Sequence, residues 1–220
     1  SRTTRLPRLC RPAAAFLLGL AVVAASSQRV TADDPPRGIV KCANLIYGKG
    51  KSSVCYSPAF LKEIEKETHI VTHPEFIPVK VEAPELYEHP FAVMTGEGAF
   101  ELSEPQRSAL RNYLMNGGFV VASAGCSSKP WASSFLKELN QIFPDTGLTK
   151  LDASHPIFHT VFDINELDRR KSPDQTDLEG LEIDGKIVLI FSRDGLNDTG
   201  NAGGKCCCCG GNEIRNARDV

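Results

Sequence analysis

Between residues 91 and 145 the chain switches hydrophobic period three times, and that alternation narrows the fold more than any other feature. "FAVMTG" (91–96) is an unbroken apolar run closed by glycine, the pattern of a strand buried on both faces. "LSEPQRSALRNYLMNGG" (102–118) offers Ser103 as an N-cap, Pro105 in the first turn, Leu110 and Leu114 four apart, and Gly117 and Gly118 as a stop. "FVVASAG" (119–125) is a second such strand. "WASSFLKELNQIFPD" (131–145) is a second amphipathic helix, with Trp131, Phe135, Leu139 and Ile142 on one side. Strand, helix, strand, helix with tight glycine turns implies an α/β fold: a mostly parallel open sheet flanked by helices. The strands at 91–95 and 119–124 are expected to be parallel neighbours joined by the helix at 104–115.

The flanks extend the pattern. "GIVKCANLIYG" (38–48) is a first strand. Ser57 and Pro58 stand where an N-cap and first-turn proline belong, ahead of Phe60, Leu61 and Ile64. "FIPVKVE" (76–82) is a short strand whose Pro78 removes a ladder donor, which favours an exposed position. In "LEIDGKIVLIF" (181–191), Asp184–Gly185 separates two β-prone runs and predicts an antiparallel edge hairpin. "NEIRNARDV" (212–220) has the pattern of a helix start. No internal repeat occurs, so residues 38–220 are expected to form a single α/β domain.

The first residues are not fold material. Arg2, Arg5, Arg8 and Arg11 precede the thirteen-residue apolar run "AAAFLLGLAVVAA", and "SSQRVTADD" offers a cut after Ala32. This is the three-part pattern of a secretory signal over 1–32, followed by a linker at 33–37. An uncut anchor is the alternative, though the run is short for a membrane span. The expectation is an exported protein, periplasmic or extracellular, with no stable membrane span after cleavage. Cleavage would remove five of the 25 basic residues and none of the 27 acidic ones. No basic stripe with interleaved aromatics exists, which argues against nucleic acid and leaves a ligand or protein partner.

Export changes how cysteine is interpreted, because close thiols outside the cytosol tend to oxidise. Near the end stands "GGKCCCCGGNE", with Cys206, Cys207, Cys208 and Cys209 in a row. Cys42, Cys55 and Cys126 bring the number beyond residue 32 to seven, an odd count. Two readings stay open. One is at least one disulfide from the run, to Cys42 or Cys55. The other is a metal or redox centre. Neighbouring side chains diverge, so four in a row do not wrap one ion, but two of them with Cys42 or Cys55 would make a zinc or iron–sulfur site. No cofactor is fixed by these patterns.

Cys126 is the sharpest catalytic candidate. It follows a central strand, and the carboxyl ends of such strands are where open α/β sheets bind ligands. A nucleophilic thiol needs a base, which His155 in "DASHPIF" would supply, with Asp152 and Ser154 to orient it. Glu97, in "GEG" just past the 91–96 strand, would face the same crevice. The plainer alternative has His155 bracing the turn before Pro156 and Cys126 packed as a small apolar residue.

Taken together, "ANLIYG", "HPFAVMTGEGAFELSEPQRSALRNYLMNGGFVVASAGC", "FLKELNQIFPD", "LDASHPIFHTVFDI" and "LEIDGKIVLIFSRDGL" resemble the family of domains of unknown function numbered 4159. That family looks like a divergent relative of class I glutamine-amidotransferase-like and trehalose-utilisation-like α/β proteins. The resemblance implies flavodoxin-like layers. In amidotransferases the catalytic cysteine sits on a sharp strand-to-helix elbow before a small residue; here Cys126 stands close to the end of a central strand, and Ser127 and Ser128 after it would permit a tight turn. The family's acids after "GGF" are missing here, where the stretch is "VASAG". Three functions follow as expectations: an exported ligand- or partner-binding domain; a cysteine-dependent hydrolase or amidase using Cys126 and His155; a thiol-based metal or redox module at residues 206–209.

Overall fold

A computed structural model describes residues 38–49, 55–167 and 177–196. In chain order the elements are β1 (Cys42–Ile46), α1 (Pro58–Glu67), β2 (Ile77–Lys80), β3 (Phe91–Gly96), α2 (Glu104–Met115), β4 (Phe119–Ala124), α3 (Lys129–Ile142), β5 (Thr149–Leu151), β6 (Leu178–Ile183) and β7 (Lys186–Ser192). The seven strands form one mixed sheet in the order β2-β1-β3-β4-β7-β6-β5. β2, β1, β3, β4 and β7 run parallel, while β6 is antiparallel to both β7 and β5.

The local chemistry accounts for these elements. Ser103 and Gln106 form a reciprocal capping box at the start of α2, and Pro105 needs no donor there. Ser57 and Ser128 cap α1 and α3 through their side-chain oxygens. Asp184 and Gly185 both take positive φ, 50° and 75°, which a tight two-residue hairpin requires. Pro78 lies in β2, at the edge of the sheet. β3 and β4 are parallel neighbours over their full length, joined by α2.

Two faces of unequal cover result. On one, Ala92, Met94, Val120, Ala122, Leu189 and Phe191 meet Leu110, Tyr113 and Leu114 of α2 and Trp131, Phe135 and Leu139 of α3. Phe135 is sandwiched between Trp131 and Phe191, with stacked rings at 5.3 and 4.9 Å. On the other, α1 and its neighbours bring Cys55, Tyr56 and Phe60 against Val93, with Phe91 and Val121 only partly covered.

The expected disulfide is overturned. Cys42, Cys55 and Cys126 are thiols, none joined to another cysteine. Cys42 and Cys55 are 2% and 0% exposed and serve as small core residues. Burial pushes the Cys42 thiol up to about 11, so it stays protonated and unreactive at neutral pH. Residues 1–37 and the cysteines at 206–209 lie outside the described residues, as does the helix start at 212–220. No described helix is long and apolar enough to cross a membrane.

Candidate ligand site at the carboxyl edge of the sheet

β1 has β2 on one side and β3 on the other, so the chain reverses its direction across the sheet between them. Beyond the carboxyl ends of strands at such a point lies the usual ligand crevice of an open α/β sheet. Tyr47, Glu97 and Cys126 follow the ends of β1, β3 and β4.

Cys126 occupies a sharp elbow between β4 and α3. Its backbone is left-handed, at φ 51° and ψ 31°, and Ser127 follows at φ 53°. Two successive non-glycine residues in that region cost about 1–3 kcal/mol each, so the surroundings must hold them. Ser127 Oγ donates to the Asp194 carbonyl at 2.7 Å, and the Ser128 amide donates to the Gly125 carbonyl at 3.0 Å. Ser128 Oγ accepts from the Trp131 amide at the start of α3 and from the Gly98 amide, at 3.4 and 3.1 Å. One serine thereby ties the loop after β3 to the helix after β4.

The elbow aims the thiol at an acid. Cys126 Sγ donates to Glu97 Oε1 across 3.5 Å. Glycine makes that approach possible. A Cβ on Gly125 would fall 2.9 Å from the Gly96 carbonyl oxygen and 3.3 Å from Glu97 Cγ. A Cβ on Gly96 would collide with the Tyr47 hydroxyl and lie 2.8 Å from Trp131 Nε1. Those two groups are already engaged: the Tyr47 hydroxyl donates to the Thr95 carbonyl at 2.7 Å and accepts from Trp131 Nε1. Burial drives the Tyr47 phenol far above its ordinary range, so it remains a neutral donor.

Beneath the elbow runs a row of hydroxyls. Thr95, Ser123 and Ser192 lie in register on β3, β4 and β7, each fully buried. Ser123 Oγ accepts from the Leu196 amide at 2.7 Å, which folds the chain after β7 over the end of β4. Ser192 Oγ has no hydrogen-bond partner among the described residues. Sequence reasoning missed Tyr47, Thr95 and this row. Its signal was a polar residue near the end of each apolar run, in "MTG", "ASAG" and "IFSR".

His155 stands elsewhere. It is the N-cap of the short 3₁₀ turn Pro156–His159, where its Nδ1 accepts from the Ile157 amide at 3.2 Å. That turn follows β5, three places from β4 in the sheet. At about 4.8 Å per strand, the step is on the order of 14 Å. Asp152 turns to Ser154 rather than to His155, accepting from its amide at 2.9 Å and from its hydroxyl. The structure brings Cys126 and Glu97 together and places His155 within its own turn. Among the described residues, no three His, Cys, Asp or Glu side chains are grouped to hold a metal ion.

The family model described as Domain of unknown function (DUF4159) matches residues 41–202. The chain belongs to this family. No curated protein matches the chain. The DUF4159 match takes in all seven strands, Glu97, Cys126 and His155, and it ends before Cys206. The Cys126–Glu97 elbow is therefore part of the DUF4159 domain, whereas the cysteine run lies beyond the matched residues.

Proposed function

We propose that this DUF4159 domain binds a small polar ligand at the carboxyl edge of its sheet, over Cys126 and Glu97, on an amidotransferase-like α/β frame. The observation that carries this reading is the strained Cys126 elbow directed at the Glu97 carboxylate. Strain at a strand end that several hydrogen bonds must hold in place is a mark of a functional position. Glu97 is a hydrogen-bond acceptor and a negative charge, so the ligand class is one that donates: a primary amide or an amine. The sequence features of residues 1–32 support export, with residues 38–220 as the working domain.

A second reading is favoured by the same elbow. Cys126 would be the nucleophile of an amide hydrolase, with Glu97 in place of His155 as proton carrier. Sγ would bond to the amide carbon as the C–N bond breaks, the thiol proton passing through Glu97 to the departing amine. Water would then hydrolyse the thioester. Binding is preferred because an ionised carboxylate beside a thiol favours the neutral thiol over the thiolate that attack requires.

Thermal shift and titration with a panel of primary amides and amines, glutamine included, tests the binding reading. Saturable binding that Glu97→Gln weakens tenfold or more is the expected result. Equal response of wild type and Glu97→Gln to every compound would overturn it. Release of ammonia from an amide, lost in Cys126→Ser, would move the assignment to the hydrolase.

A further inference from the structure

The joint between α2 and β4 holds "NGG", residues 116–118, the one place in the sequence where asparagine precedes glycine. The backbone nitrogen after an asparagine can close a five-membered ring on the side-chain amide carbon, and a side chain on the following residue hinders that closure. Nothing hinders it here. Asn116 and Gly117 are both exposed. Gly117 has no Cβ, and no other described atom lies within 4 Å of where one would stand, so the turn is open to water. The Gly117 amide meets no hydrogen-bond acceptor among the described residues. Its neighbours on both sides are bonded, the Asn116 amide to the Asn112 carbonyl at 3.0 Å and the Gly118 amide to the Tyr113 carbonyl at 2.9 Å. The attacking nitrogen is thus left free by the turn that holds the residues around it. A single side-chain hydrogen bond restrains the asparagine, Nδ2 donating to the Asn112 carbonyl at 2.7 Å. Closure requires the Asn116 ψ to leave its value of 22°, and the glycine that follows, at φ 95°, lets the exposed link turn.

We propose that Asn116 is a self-modification site of the folded domain, converting to aspartate and isoaspartate and thereby weakening the joint between α2 and β4. The Gly117 nitrogen, its proton lost to hydroxide, bonds to Asn116 Cγ. The Cγ–Nδ2 bond breaks, and Nδ2 takes a proton from water and leaves as ammonia. Water then opens the cyclic imide at either carbonyl. One opening restores the backbone with an aspartate side chain, and the other routes the backbone through Cβ and Cγ. The sum consumes one water and releases one ammonia. The joint has little slack for either product. Gly118 is buried, and a Cβ on it would collide with the Tyr113 ring. The Tyr113 hydroxyl donates to the His89 carbonyl at 2.6 Å, and the Phe119 amide donates to the Pro90 carbonyl at 3.0 Å, so the entry to β4 is fixed beside β3. Isoaspartate lengthens the backbone just ahead of that fixed entry. Both products set a carboxylate at the negative end of α2 and take from the Asn112 carbonyl its side-chain donor. The elbow lies beyond the other end of β4, six residues and about 20 Å away, so this site stands apart from the ligand reading.

Peptide mapping of the full chain, kept folded at mildly alkaline pH with no added ligand, tests the site. Conversion of Asn116 on the order of tenfold faster than that of Asn44, Asn112, Asn140 or Asn165 is expected, with both acid forms present and ammonia released in step. An Asn116 that stays an amide in the folded chain would overturn the proposal, and so would conversion seen only in urea. Asn116→Gln, whose longer side chain closes a slower six-membered ring, should remove the conversion at this position and the ammonia that accompanies it. Undiminished ammonia from that variant would place the reaction elsewhere and overturn the assignment. Asn116→Asp, which carries the direct product, should lower the urea midpoint. An unchanged midpoint would overturn the weakening of the joint.

Discussion

Gly125 approaches Gly96 so closely that a single added methyl would lie 2.9 Å from the Gly96 carbonyl oxygen. The contact joins the ends of β3 and β4 and thereby sets Glu97 against Cys126. Gly125→Ala forces backbone apart, an overpacking of the kind that costs about 1–3 kcal/mol. A lowered denaturation midpoint is expected, with the Cys126–Glu97 contact lengthened in a crystal structure of the variant. Unchanged stability and an unchanged contact would show that the glycine is not required there.

Arg107 on α2 holds Glu138 on α3, with Nε donating to Oε2 at 2.7 Å, and Glu138 is only 2% exposed. Removing one partner of such a pair strands a buried charge, whereas removing both need not. Arg107→Met should lower the urea midpoint clearly, and Arg107→Met with Glu138→Met should recover most of the loss. A double variant as unstable as the single one would mean that packing, not charge, sets the cost.

His159 donates to the Ala153 carbonyl at 2.8 Å and faces Asp163 at 3.1 Å. The bond to Ala153, then that to Asp163, raises its proton affinity above the ordinary histidine value. A raised folded-state pKa adds stability that is fully present below the unfolded value near 6.5 and is lost as pH rises through the folded one. The 153–163 turn should therefore loosen on the alkaline side of neutrality. NMR titration should place His159 above 6.5, and Asp163→Asn should lower it. A value at or below 6.5 would contradict the geometry.

The strand–helix alternation was legible because each element carried its own punctuation. Ser103 and Pro105 marked the start of α2 and Gly117 and Gly118 its stop, and Asp184–Gly185 marked the β6–β7 turn. α3 begins at Lys129, two residues earlier than its apolar stripe suggests, because Ser128 caps it and Pro130 fits its first turn. β5, only three residues long, has no periodic signature at all. Cys126 and Glu97 were visible as candidates since both follow strand-ending runs. Their pairing was not, because it depends on Gly125 and Gly96 lying side by side across two strands. The disulfide expectation failed because it rested on compartment and cysteine count. Neither says that Cys42 and Cys55 are sealed in the core.

The charge on Glu97 gives the most direct test of the site. In the binding account Cys126 is a neutral thiol that donates to a carboxylate, and that carboxylate repels the thiolate. Iodoacetamide labelling at pH 7, with peptide mapping to separate Cys126 from the other cysteines, should run on the order of tenfold faster in Glu97→Gln than in wild type. Cys42 and Cys55, buried in the core, should stay unlabelled in both until the protein unfolds. Slower labelling of Cys126 in Glu97→Gln would contradict this account, because it would mean that Glu97 activates the thiol rather than restrains it.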